Sequence, residues 1–181
     1  MIRSVFIALS LCATSAFGDT CPKAKDISND MSALIAQANA AQTQSAGDAV
    51  NAQMWALWTQ APDDYAQNLL ESGINRREVY DFDGALASFN ALIDYCPDYA
   101  EGYNQRAFVN FLRHDFETAL PDLMKTLEMS PDHVAAQSGK ALTLIGLGRS
   151  QEAYIALKLA VKKNPWISER GLLPSLAGDA L

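Results

Sequence analysis

Histidine is scarce in this 181-residue chain, where His114 and His133 are the only two. Neither takes part in a His-x-x-x-His or Glu-x-x-His spacing, and no Cys-x-x-Cys occurs. The ligand patterns from which protein zinc sites are built are therefore missing. Both histidines are expected in surface turns, His114 between two helices and His133 just after a proline. There is no Gly-x-Ser-x-Gly and no phosphate-cradling glycine loop, and Gly146-Leu147-Gly148 reads as an ordinary helix stop. No catalytic residue, metal or cofactor is assigned, and an enzyme is not expected. Basic residues are also short, 14 Lys and Arg against 21 Asp and Glu, for a formal net charge of −7. Phosphate backbones and anionic lipid surfaces recruit basic faces, so nucleic acid and a lipid surface are excluded as expected partners. Long apolar runs are absent too. Val5–Ala16 falls short of the ~20 residues a membrane-spanning helix needs.

That short run sits in a recognisable frame. Arg3 precedes it, Ala16-Phe17-Gly18 puts small residues at its end, and the acidic Asp19 follows. This order of positive, apolar and small segments is that of a cleaved secretory signal. Residues 1–18 are expected to be a signal peptide, and the chain to be exported, periplasmic or secreted, with no membrane insertion after cleavage. Cys21 and Cys96 remain beyond the cleavage point. An oxidising compartment favours their pairing, which would tie the mature amino terminus to the end of a helix. They could equally be two unrelated thiols, with Cys96 filling a small turn site, because spacing does not show that the atoms approach.

The strongest signal is self-similarity. Pro97, Pro131 and Pro165 lie 34 residues apart, and the same shift aligns Ala85, Ala119 and Ala153. It also aligns Gly73, Ala107 and Ala141, then Phe89, Leu123 and Leu157, then Ile93, Leu127 and Val161. Two antiparallel helices approach closely only where a small residue sits at their crossing. The large apolar columns fill the groove to the next pair, and the proline ends the second helix.

These columns resemble the tetratricopeptide repeat, in which small residues, a large apolar residue and a closing proline recur at these offsets. The resemblance implies an all-α fold, a right-handed α-solenoid of antiparallel helix pairs. Its units fall at 66–99, 100–133 and 134–167, and Asn104-Gln105-Arg106-Ala107 resembles a first-helix variant of the family. Arg106 is then expected to brace neighbouring helices. The family lines its concave face with the first helix of each unit. By that likeness the candidate binding groove is Gln67, Leu70, Ile74 and Arg77, then Glu101, Asn104, Phe108 and Phe111, then Ala135, Ser138, Leu142 and Ile145. This surface is largely apolar and suits an apolar peptide or a partner helix. Family members that clamp an acidic carboxyl terminus use Lys and Asn at groove positions, and only Asn104 matches. The implied function is a protein- or peptide-binding scaffold in the cell envelope. The alternative is an accessory factor for secretion, pilus or outer-membrane assembly.

The flanks read as helical additions. Residues 19–65 hold a helical pair, a degenerate repeat or cap in front of the array, with Asp48 capping its second helix. Trp55 and Trp58 fall on one face of that helix and read as core. Asp63-Asp64 reads as a helix cap. Pro121 should kink its helix or delay its start. Residues 168–181 form a cap or tail, with a short helix from Ser168, Trp166 covering the last pair, and frayed ends from Ser175.

Overall fold

The computed structural model describes residues 20–179, and the segment read as a signal peptide lies outside them. Among the described residues there are nine α-helices, one 3-10 turn and no strand. Helices α1 (Ser28–Ala40) and α2 (Gln44–Trp58) form an amino-terminal hairpin. Three further hairpins follow: α3 (Asp64–Glu78) with α4 (Phe82–Tyr95), α5 (Ala100–Leu112) with α6 (Phe116–Met129), and α7 (Val134–Gly146) with α8 (Ser150–Lys163). Each of these three hairpins packs most extensively on itself, and the first two then pack on the next, which makes a helical-repeat solenoid. The second helices begin at Phe82, Phe116 and Ser150, so the 34-residue period holds at their boundaries.

Local chemistry explains the boundaries. Asp63, Asp81 and Asp115 sit at the N-caps of α3, α4 and α6, where each carboxylate accepts from a free first-turn amide. The small columns lie where helices cross. Ala85, Ala119 and Ala153 are fully buried, and a Cβ on Gly73 would lie 2.3 Å from the Phe89 ring. The turn inside each unit needs one left-handed residue. Tyr80, His114 and Gly148 supply it, with φ of 62°, 59° and 70°, at the same offset in consecutive units. Only the third unit uses the residue for which this conformation carries no Cβ clash. Arg106 braces three helices: it donates twice to Asp122 at 2.7 Å, and once to Asn90 at 2.8 Å.

Four expectations change. Helix α6 begins on time at Phe116 despite Pro121, which lies on an exposed face beside Glu117, the residue whose carbonyl loses its partner. Helix α2 is capped by Thr43, whose hydroxyl accepts from the Ala46 amide, and Asp48 lies within the helix. After a 3-10 turn at Ser168–Leu172, α9 (Leu173–Asp179) is ordered as helix, because Leu176 is buried in the third unit's apolar cluster.

The fourth change matters most. The amino-terminal hairpin does not stack as a further unit ahead of α3. It turns back along the array to the far end. Met31, Leu34, Ala38, Val50, Met54 and Trp58 join one core with Val134, Ala141, Leu144, Leu157 and Ile167. Fully burying a Val, Leu, Ile or Met side chain contributes about 1.5–3 kcal/mol. Polar contacts fix the register. Trp166 Nε1 donates to the Ala38 carbonyl at 2.8 Å, and Asn164 Nδ2 to Asn51 Oδ1 at 2.7 Å. Asn39 donates to the Lys163 carbonyl, closing the end of α1 onto the end of α8. Gly47 is required there, since a Cβ would sit 2.1 Å from the Trp166 ring. At the hairpin's start a disulfide joins Cys21 to Cys96, with Cα atoms 5.2 Å apart and a sequence separation of 75.

Gly148→Ala tests the turn column. A Cβ there meets nothing within 4 Å, so the backbone alone sets the cost. Stability should fall by about 1 kcal/mol in denaturant unfolding; an unchanged midpoint would show that the turn tolerates any residue.

Candidate binding groove

The inner faces of α5 and α7 carry most of the expected groove residues, and the hairpin covers part of them. Glu101 is the centre of what it covers, only 1% exposed. Its carboxylate accepts from Asn104 Nδ2 at 3.2 Å, from Gln105 Nε2, and from His133 Nε2 at 2.8 Å. The Ala136 amide donates to His133 Nδ1 at 3.1 Å, which leaves the ring proton on Nε2, aimed at Glu101. Both ring nitrogens are thus engaged, and neither is left for a substrate. Arg77 donates to the Oε1 of Gln105, extending the network to α3.

Helix α2 closes over this cluster. The Trp58 ring stacks on His133 with centroids 4.1 Å apart and planes 10° from parallel. Tyr99 Oη donates to the Trp58 carbonyl at 2.6 Å. Burial first, and the Glu101 charge second, push the Tyr99 phenol well above its ordinary range. A phenol held protonated this way adds stability that is fully present below its unfolded pKa of about 10 and is lost as pH rises further.

Beyond Trp58 the groove opens. A cavity of about 190 Å³ is walled by Trp55 from α2, Phe108 and Phe111 from α5, and Ala135 and Ser138 from α7, with Glu169 of the 3-10 turn beside them. Trp55 and Phe108 are 40% and 42% exposed, a large fraction for aromatic side chains on an inner face. The Arg77 guanidinium lies 4.8 Å from the Phe108 ring centre. Arg77 itself is half-buried, and that burial lowers its pKa from the usual arginine range.

The expected groove residues therefore divide. Phe108, Phe111, Ala135 and Ser138 meet at one cavity. Leu142 and Ile145 continue along α7, half-buried and exposed. Ile74 is half-buried against the first unit's core, and Gln67 is held by the Ala61 amide and Glu71. Leu70 does not face a groove: it is fully buried in the first unit's core cluster, which also holds Phe89. Glu101 is sealed into the network under α2, whereas Asn104, which donates to Glu101, also lines the cavity beside Phe108 and Phe111.

Three aromatic or polar residues belong to this site although the sequence reading placed them elsewhere. His133 is buried, not in a surface turn, because α2 lies over it. Trp55 is partly exposed and lines the cavity, not the core. Tyr99 was not singled out at all. One signal could have found two of them: Tyr99, His133 and Ile167 occupy the same offset in successive units and are all buried. Among the described residues no cluster of His, Cys, Asp and Glu could hold a metal ion.

Comparison with known proteins agrees with the repeat architecture. No family model matches the chain. A tetratricopeptide repeat protein 36 homolog from Nematostella vectensis is 47% identical over 64 residues, 35% of each chain. The DnaJ homolog subfamily C member 3 of Bos taurus is 36% identical over 81 residues, which is 45% of this chain and 16% of that protein. The chain thus spans about a third or less of the length of these curated relatives. Among solved structures, the first TPR of Spaghetti, bound to the HSP90 peptide SRMEEVD, superposes with a TM-score of 0.61 at 19% identity. It covers 63% of this chain and 91% of that one. The fold is an all-α helical-repeat solenoid, similar to that of the tetratricopeptide-repeat structures on which it superposes.

His133→Ala should cost about 3 kcal/mol of stability, since it strips a buried carboxylate of its partner and the indole of its stack. Chemical unfolding followed by tryptophan emission measures this; a loss below about 1 kcal/mol, the size of an ordinary neutral hydrogen bond, would contradict the buried network.

Proposed function

We propose that this chain is a peptide- or protein-binding scaffold of the cell envelope, and that its contact surface is the open part of the concave face. The observation that carries the reading is the cavity bounded by Trp55, Phe108 and Phe111. Trp55 and Phe108 stay exposed at this cavity with Phe111 half-buried beside them, although the same helices bury Met54, Trp58, Ala107 and Val109. Exposed apolar surface of that kind marks contact sites, and aromatic side chains supply most of the energy of such contacts. The cavity is the size of one side chain, and α2 closes the neighbouring stretch of groove. The occupant is accordingly a short peptide segment anchored by one residue, not a helix lying along all three units. An acidic carboxyl-terminal peptide of the kind bound by the Spaghetti repeat fits less well, because Asn104 is committed to Glu101.

The envelope part of the reading rests on the signal-like segment at residues 1–18 together with the Cys21–Cys96 bond. A disulfide closing so long a loop adds about 2–4 kcal/mol where the compartment is oxidising, and cytosolic thiols seldom pair stably.

Two measurements test the proposal. Capture from an envelope fraction should recover a protein partner with the native chain and lose it with a Phe108→Ser/Phe111→Ser variant that keeps its helical circular dichroism. Recovery of the same proteins by both would move the contact surface elsewhere. A non-reducing mass of the protein from its native host should show loss of residues 1–18 and of two hydrogen atoms; an intact amino terminus would remove the envelope assignment.

A further inference from the structure

The cavity carries a charge that an apolar anchor leaves unused. Glu169 stands beside the aromatic rings. Its carboxylate accepts from Ser168 Oγ at 3.1 Å and enters no ion pair among the described residues. An aliphatic or aromatic side chain seated here would strip water from that carboxylate and return nothing. An acidic one would meet Glu169 directly, on a chain whose net charge is already −7. Phe108 meanwhile shows that its ring accepts a guanidinium, because Arg77 lies 4.8 Å from its centre. Arg77 is tied to Gln105 and is not one of the residues that wall the cavity.

We propose that the Trp55–Phe108–Phe111 cavity receives a basic side chain of the bound peptide, arginine or lysine, with its head at Glu169. This rests on the peptide-binding reading above and names the residue that it anchors. The methylene stem lies against the rings, whose faces attract a cation, and the charged end reaches the carboxylate at the mouth. A guanidinium can bind both carboxylate oxygens in one plane, so arginine is favoured over lysine. Glu169 lies in the 3-10 turn that starts at Ser168, beyond Pro165, so the carboxyl-terminal flank supplies the specificity group while the repeats and α2 supply the rings.

The test uses the full chain without residues 1–18 and four synthetic pentapeptides, acetyl-Gly-Leu-Xaa-Leu-Gly-amide, in which Xaa is arginine, citrulline, norleucine or glutamate. Binding is read by calorimetry and by the change in tryptophan emission. The arginine peptide should bind about tenfold more tightly than its citrulline isostere, the worth of one charge-assisted contact. Glu169→Gln should abolish that preference while leaving the citrulline affinity in place. Trp55→Ala should weaken both peptides. Norleucine binding as well as arginine, or an arginine preference that survives Glu169→Gln, overturns the basic anchor and leaves the scaffold reading intact. Tightest binding of the glutamate peptide also overturns it. Failure of all four peptides to bind at millimolar concentration removes the cavity as a peptide site, and both readings fall together.

Discussion

The face-to-face contact of Trp58 with His133 is the point on which the rest of the molecule depends. It joins the amino-terminal hairpin to the solenoid and lies directly on the buried Glu101 carboxylate. A charge with almost no solvent contact is tolerable only when every lone pair is met. Asn104, Gln105 and His133 meet those of Glu101, and all four residues are buried where α2 packs on the array. The cost of the charge and the position of the hairpin are therefore one problem with one solution. Buried ionic groups of this sort contribute little net stability, and their effect is to admit a single docking register.

From that register the functional surface follows. With Trp58 seated on His133, the residue one helical turn earlier, Trp55, is carried over the inner face of α5 and α7. The disulfide and the contacts of Trp166 and Asn164 hold the hairpin at its two ends. The concave face is thereby split, with a closed polar half and an open aromatic half. A repeat array alone would present one continuous groove to a helix. This one presents a small composite pocket, built from α2, two units and the carboxyl-terminal flank, which suits a single anchoring side chain.

The repeats were legible because their physics is local. A small residue where helices cross, a large one between pairs, and a proline after the second helix leave the same trace every 34 residues. The left-handed turn column was less visible, because Tyr80 and His114 stand where only Gly148 announces the conformation. The groove was legible in part. Phe108, Phe111 and Ser138 meet as their positions on helix faces require. Leu70 was misplaced because a residue bordering both core and groove is decided by how closely its neighbours pack, and a periodicity of 3.6 does not resolve that.

What the sequence by itself determined is the number of units, their length and the small-residue crossings. Each of these arises from contacts within one helix pair or between adjacent pairs. Only the tertiary structure decided where the first hairpin goes, that His133 and Glu101 are sealed together, and that Trp55 faces a cavity instead of the core. Those outcomes depend on residues 32 to 128 positions apart in the chain, such as Glu101 with His133 or Ala38 with Trp166. The contacts of the amino-terminal hairpin leave no repeat column, because the hairpin occurs once in the chain, and the acid at Glu101 and the imidazole at His133 each occur in a single unit of their columns.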